Sequence, residues 1–474
     1  MQFFSIPFFL LVTVVFIAIR IIKKAIKNEK IRILISNVIL LVCSYIFVIY
    51  ADYRFAIALL LLTISTWLFA KNTRTIVLGV VIALGSLCFF KYTNFFIESF
   101  AKIFGNDFTT LNLIVPIGVS FYTFSAISYL VDIKREKIEP ATFLDVALYL
   151  SFFPKLTSGP IHRSKDFLEQ MHKDRNIGLK TFSVGIQIFV FGLFKKIVLA
   201  DRLSVFVNQV FDTPKVFSWF TVLLGVVAYS FQIYFDFSGY SDMAIGVAKI
   251  LGFDLPRNFN LPYMSHNVTE LWKRWHISLS SWLQDYLYIS LGGSRKGKFR
   301  TYLNLILTMI LGGIWHGANW TYVFWGLLHG VALAVHKVWM KITNSANKRG
   351  TKIGSVVSIM VTFAFTSFCW IFFRADSFSK AIDVIVQIVS FSDGVTQLYF
   401  WLFFSLVLYV LASLIAKKIN KGEKAKKMNQ STIEGVYPIM DLSKAWCLTL
   451  FFVSVGLVIL LAYTGGSPFI YGNY

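Results

Sequence analysis

Within Leu311-Gly-Gly-Ile-Trp-His-Gly-Ala-Asn-Trp320, His316 follows the apolar run 303–311 and precedes another at 322–335. An ionisable side chain in a stretch of this kind is costly to bury in a membrane and marks a functional site by default. Imidazole titrates near neutrality and takes a proton from an attacking hydroxyl. The chemistry suited to His316 is therefore base-assisted transfer of a group to an alcohol. Gly312, Gly313, Gly317 and Ala318 around it let a second backbone or a substrate chain approach closely. The competing reading is a histidine that ties two helices together by a hydrogen bond. His276, in Trp272-Lys-Arg-Trp-His-Ile-Ser-Leu279, suits orienting a substrate, bonding to His316 or capping a polar face. His162, His172, His266 and His336 lie in polar stretches or beside a basic loop and read as surface or structural residues. A further polar knot, Tyr234-Phe-Asp-Phe-Ser-Gly-Tyr-Ser-Asp-Met243, sets Asp236 and Asp242 in an apolar region. Carboxylates so placed face a cavity or a partner, and pairing with Arg257 or Arg274 is the simpler account. No carboxylate or thiolate stands at metal-ligand spacing, so no metal is expected.

The elements that must carry these residues are membrane helices. Of the 474 residues 56% are hydrophobic and only 15% charged, against about 45–50% and about 25% in soluble domains. Runs such as 33–50, 55–70, 75–90 and 354–373 approach the length, about 20 residues, that crosses a hydrocarbon core as helix. The expected fold is an all-α polytopic membrane protein, one domain over residues 1–474, with about ten or eleven crossings. The first run, 3–19, lacks a basic leader and a small-residue cleavage site and reads as a retained span.

The net charge of +22 comes from clusters between apolar runs, among them Arg20–Arg32, Lys337–Lys352 and Lys417–Lys427. That is the positive-inside pattern rather than a nucleic-acid surface. With all three clusters in the cytoplasm, both termini lie outside. The four cysteines lack paired spacing and read as small buried hydrophobes. Residues 253–300 are too polar for a lipid-facing span. Trp272, Trp275, Leu279, Trp282 and Leu283 recur there at three- and four-residue spacing, predicting an amphipathic helix at the interface or against the protein core. A basic glycine loop, Gly292–Lys298, follows it.

These blocks match a family. Arg257-Asn-Phe-Asn-Leu-Pro-Tyr263, the run Glu270–Tyr288, Leu291-Gly-Gly-Ser-Arg-Lys-Gly297 and Gly313-Ile-Trp-His-Gly-Ala-Asn-Trp320 resemble the membrane-bound O-acyltransferases, within them the alginate and peptidoglycan O-acetyltransferase branch. Phe90-Lys-Tyr-Thr-Asn94, Pro116–Phe121, Ser151–Pro154, Phe235–Asp242 and Phe372-Phe-Arg-Ala375 extend the similarity over nearly the whole chain. The resemblance implies that His316 is the catalytic histidine and His276 the second active-site position. It implies a ring of helices around a thinned core, with a tunnel from cytoplasm to exterior. It also implies an acyl donor taken from the cytoplasm, acetyl-CoA, and delivery to a hydroxyl outside, with an SGNH-type O-acetyltransferase as extracytoplasmic partner. No tightly bound cofactor is implied. Lys273, Arg274, Arg295 and Lys296 are then candidate contacts for the CoA phosphates, with lipid headgroups as the alternative. Asp236, Asp242 and Asn319 are the core polar positions.

Ser290 and Ser294 depart from the branch, which has proline and asparagine there. The rival within the family is D-alanyl transfer to teichoic acid, and outside it a transporter, against which the lack of recognisable inverted repeats counts. Pro468-Phe-Ile-Tyr471 resembles the ending of the small partner protein of D-alanylation, which makes Tyr471 a candidate acyl relay; an aromatic anchor at the interface is the other reading. Abundant Lys, Ile and Phe suggest an AT-rich bacterial genome, hence a bacterial cell membrane and a peptidoglycan or exopolysaccharide acceptor rather than alginate.

Overall fold

The long apolar runs fold as helices, because in lipid a chain must hydrogen-bond its own backbone. The computed structural model describes residues 3–105, 109–343, 351–419, 432–433, 437–466 and 470. Eight helices among them are long and apolar enough to cross a membrane, with two shorter apolar ones at Phe400–Ile415 and Ala445–Leu461. That agrees with the expected number of crossings. Apart from a two-residue antiparallel pairing of Thr432–Ile433 with Tyr437–Pro438, the described regular structure is helical. The run read as a retained span is the helix Ile6–Ala25.

The chain forms two compact units, one from Met1–Phe191 and Tyr240–Pro256, the other from Gly192–Gly239 and Arg257–Asn473. In the first, the spans Ile6–Ala25, Glu29–Ala51, Tyr53–Ala70 and Ile76–Phe104 are followed by Val119–Lys134, a helix buried on nearly all sides. Thr142 and Asp145 close a capping box at the start of Phe143–Ser151, which satisfies the exposed backbone donors of that short helix. His162 is buried here rather than at the surface, its carbonyl accepting the Tyr149 hydroxyl at 2.8 Å. Asp242 belongs to this unit and is also buried.

The second unit holds both histidines. Lys298–His316 ends on the catalytic candidate, and Trp320–Ile342 returns beside it. Of the glycines expected to admit a close neighbour, Gly313 meets backbone, whereas Gly312 meets the Leu283 side chain and Gly317 the Tyr322 ring; Gly326, on the returning helix, also meets backbone. A Cβ on Gly313 would lie 2.2 Å from the Tyr322 carbonyl oxygen, and one on Gly326 2.3 Å from that of Met309. Such small-residue seams let membrane helices pack without side chains between them.

The amphipathic helix expected across 272–283 is not continuous. Val268–Arg274 stops, Ile277–Trp282 begins afresh, and a π-helical turn Leu283–Tyr288 follows. The interruption is at His276, whose φ of 41° and ψ of 54° are left-handed. For a residue with a Cβ that conformation is strained and persists only where the surroundings over-determine it. Residues 257–261 supply that constraint. The Ile277 N–H donates to the Asn258 carbonyl at 2.9 Å, and the Asn260 N–H to that of Arg274 at 3.0 Å. The Asn258 side-chain oxygen accepts from the Ser278 hydroxyl at 2.6 Å and its N–H at 3.3 Å.

Candidate active site

His316 is 2% exposed and His276 not at all. Both rings pack edge-on against the indole of Trp315, with centroids 5.0 Å away for His316 and 6.1 Å for His276. The remaining walls are aromatic. His316 meets Trp325 at 5.1 Å and Phe373 at 5.2 Å, and His276 meets Phe237 at 4.6 Å. Trp325 in turn stacks on Trp370 at 5.6 Å, and Trp370 lies 4.9 Å from Trp275. Burial pushes His276 down to about 3, so its imidazole is neutral at physiological pH. His316 closes the C-terminal end of its helix.

Beside this cage lies a cavity of about 420 Å³, a size in the range of small-molecule sites. Ile277, the neighbour of His276, lines it, as do Trp272, Leu283, Met309, Lys273 and Lys337. It is apolar within, with two exposed ammonium groups among its lining residues. Of the four basic residues expected to hold phosphates, only Lys273 is among the lining. Arg274 is engaged by Glu270, Nε to carboxylate 2.9 Å, and Glu270 also holds His266, whose Nε2 meets the Ser355 hydroxyl at 2.7 Å. Arg295 and Lys296 are exposed on the glycine loop. Gly292, Gly293 and Gly297 have φ of 102°, 55° and 87°, and Asn304 anchors the loop by donating to the Leu291 and Gly293 carbonyls.

The polar positions fall out differently from expectation. Asp236 pairs with Lys196 at 2.6 Å rather than with Arg257 or Arg274. Glu270 stands one turn from Arg274 and captures it, whereas Lys196 comes from a π-helical turn, Phe194–Ala200, about forty residues before the carboxylate. Asn319 caps Trp320–Ile342 through the Thr321 N–H at 3.0 Å and donates to the Asp376 carbonyl at 2.8 Å, which fixes the turn after His316. Tyr471 lies outside the described residues.

Some contributors carried no signal in the sequence. Asn258 sits in a recognisable block without a chemical role of its own, and Lys337 reads as one more positive-inside charge. His329 received no role, yet it is 1% exposed, with centroids 4.9 Å from Trp325 and 5.2 Å from Trp272. The indole N–H groups of Trp272 and Trp325 and both His329 ring nitrogens have no hydrogen-bond partner among the described residues. Indole N–H is donor only, so this wall of the cage suits a ligand that presents acceptors such as carbonyl oxygen.

Comparison with known proteins gives the family. Residues 119–373 match the sequence profile of the MBOAT, membrane-bound O-acyltransferase family, and this segment contains both histidines. A peptidoglycan O-acetyltransferase of Helicobacter pylori is 40% identical over 342 residues, 66% of this chain and 64% of that protein, so the match spans slightly under two thirds of its length. A probable alginate O-acetylase, AlgI, of Pseudomonas putida is 42% identical over 376 residues, 75% of either chain. A teichoic acid D-alanyltransferase of Streptococcus thermophilus is 32% identical over 260 residues, 52% of this chain and 62% of that protein. With the cage, the cavity and these matches together, the chain belongs to the membrane-bound O-acyltransferase family, a multi-pass enzyme that transfers acyl groups.

Proposed function

We propose that this enzyme moves an acetyl group from a cytoplasmic thioester, acetyl-CoA, to an extracytoplasmic hydroxyl, for O-acetylation of peptidoglycan or an exopolysaccharide at a bacterial cell membrane. The observation that carries the reading is the pairing of His316 and His276 on one indole beside an apolar cavity lined in part by Lys273 and Lys337. A thioester is already activated, so the protein's work is alignment and proton transfer. The His316 imidazole takes the proton of the acceptor hydroxyl as its oxygen attacks the thioester carbonyl. The C–S bond then breaks, the thiolate leaves and recovers the proton from imidazolium, and an ester remains. His276 orients the reacting groups. The donor's phosphates lie against Lys273 and Lys337 in preference to Arg274, which is already paired.

The positive-inside distribution of the basic clusters supports an orientation with both termini outside. The immediate acceptor in this reading is Tyr471, which passes the acetyl group to an SGNH-type O-acetyltransferase outside the membrane. The 40–42% identity to enzymes named for O-acetyl transfer, against 32% for the D-alanyl enzyme, favours acetyl. The test is a His316→Ala strain whose cell-wall and secreted glycans are analysed by mass. Loss of O-acetyl groups with normal membrane levels of the protein is expected, and undiminished acetylation would remove the catalytic assignment. Labelled acetate and labelled D-alanine, fed separately, identify the group carried.

A further inference from the structure

His266 reads in the sequence as a surface residue, and it is exposed, yet its ring joins two helices. Its Nδ1 lies 2.9 Å from Glu270 Oε2, and its Nε2 lies 2.7 Å from the Ser355 hydroxyl. A serine, a histidine and a carboxylate linked in that order at hydrogen-bond distance are the parts of an activated nucleophile. All three belong to the second compact unit.

The carboxylate decides which ring nitrogen carries the hydrogen. Burial raises the Glu270 carboxyl, but the bonds from His266 and the charge of Arg274 outweigh it and hold the group ionised. An ionised carboxylate only accepts, so the hydrogen sits on Nδ1. In the uncharged tautomer that this selects, Nε2 accepts from Ser355 Oγ.

Ser355 differs from three other hydroxyls on its helix, Lys352–Arg374. Ser358, Thr362 and Thr366 each donate to the carbonyl four residues back, at 2.8, 2.8 and 2.7 Å. The Thr351 carbonyl accepts the Ser355 N–H at 2.9 Å, while the Ser355 hydroxyl turns to the imidazole. Ser355 is half-buried in the first turn, behind the exposed stretch Thr351–Gly354. The positive end of a helix favours an oxyanion that develops beside it. The helix bearing Glu270, Val268–Arg274, also lends Thr269, Trp272 and Lys273 to the cavity wall.

We propose that Ser355, His266 and Glu270 form a second, hydrolytic site that cleaves short acyl esters and thioesters. Ser355 Oγ attacks the acyl carbonyl while His266 Nε2 takes its proton. The C–O or C–S bond breaks, the departing oxygen or sulfur receives that proton, and the acyl group stays on Ser355 as an ester. Water, losing a proton to the same nitrogen, then adds to this ester. Ser355 Oγ leaves, recovers the proton, and a free carboxylic acid is released. Glu270 is a positioning residue that acts through His266. In the orientation proposed above, the basic cluster ending at Lys352 is cytoplasmic, which puts this site on the donor's side. That placement rests on the proposed function, whereas the triad does not.

The test uses the full-length protein in detergent carrying His316→Ala. The cage then contributes no base, and failure of the transfer reading leaves the result unaffected. The probes are p-nitrophenyl acetate and a fluorophosphonate. Expected are release of p-nitrophenolate and a phosphonate adduct on the peptide that holds Ser355. Ser355→Ala, in which alanine suits the helix, should abolish the adduct. His266→Ala should slow release by about 10²–10⁴-fold, as expected for loss of a general base. Glu270→Gln should lower kcat with KM little changed, and Glu270→Asp should recover part of the loss. Undiminished release in Ser355→Ala, or absence of the adduct from that peptide in protein that melts normally, would overturn the site. An unchanged kcat in Glu270→Gln would do the same.

Discussion

His276 and His316 face the same indole, Trp315, from 6.1 and 5.0 Å, although 40 positions part them in sequence. One side chain thus sets the spacing of both. Trp315→Ala should therefore cost acetyl transfer nearly as much as losing either histidine, in the range of about 10²–10⁴ expected of a general base. Added to His276→Ala it should cost little more, because the two changes disrupt one unit. Additive losses in a double-mutant cycle on purified protein would show that Trp315 and His276 act independently.

Asn258 keeps His276 in its left-handed conformation by accepting from Ser278. Asn258→Ala keeps the two backbone bonds but should loosen the break, lower transfer at least ten-fold and cost about 1–3 kcal/mol for the buried donors left behind. Ser278→Ala keeps the backbone N–H and should cost less on both counts. Thermal unfolding in detergent and initial rates measure the pair, and equal effects would contradict the account.

Lys273 and Lys337 line the cavity while Arg274 is held by Glu270. Neutralising either lysine to Gln should raise KM for the thioester several-fold with kcat little changed, an effect that shrinks as salt screens it. Arg295→Gln and Lys296→Gln should change KM less. A larger effect at Arg295 would move the phosphate site to the glycine loop.

Burial raises the Glu270 carboxyl, but the hydrogen bonds from His266 and the charge of Arg274 outweigh it and hold the group below its ordinary value. A carboxyl depressed in the folded state contributes stability that is fully present above its unfolded value, about 4.3, and lost as pH falls through the folded value. Melting of wild type and Glu270→Gln should accordingly differ by a constant amount from neutrality down to about 4.3, then converge. The side chain is partly exposed, so the difference is small. A gap that persists undiminished at pH 3 would argue against ionisation as its source.

Gly326→Ala places a methyl group 2.3 Å from the Met309 carbonyl oxygen, where only backbone movement could relieve it. A loss of about 1–3 kcal/mol is expected from overpacking, with transfer reduced through displacement of His316. Melting in detergent and the transfer rate report on both.

The membrane architecture could be read from the residues because span-length apolar runs permit little besides helix. His316 was legible for a similar reason, as a titratable group between glycines in such a run. The break at His276 was not. Tryptophans at three- and four-residue spacing read straight through it as helix, and the bonds that enforce it come from Asn258 and Asn260, some sixteen to eighteen residues earlier. Lys196 escaped because its partner Asp236 lies on another helix, and pairing over that separation leaves no local pattern. The glycines around His316 announced a close contact but not its identity, which at Gly313 is the backbone of the next helix.

That contact also decides which parts of the site can move. With Gly313 against the Tyr322 carbonyl and Gly326 against that of Met309, the two helices meet backbone to backbone at these points, where little can yield. The pair carries His316 together with Met309, Leu333 and Lys337 of the cavity wall. The facing wall comes from 269–288, the stretch already broken at His276. In the proposed reaction, admission of the thioester donor and release of its thiol fall to this jointed wall, which the interruption at His276 leaves as separate helical segments.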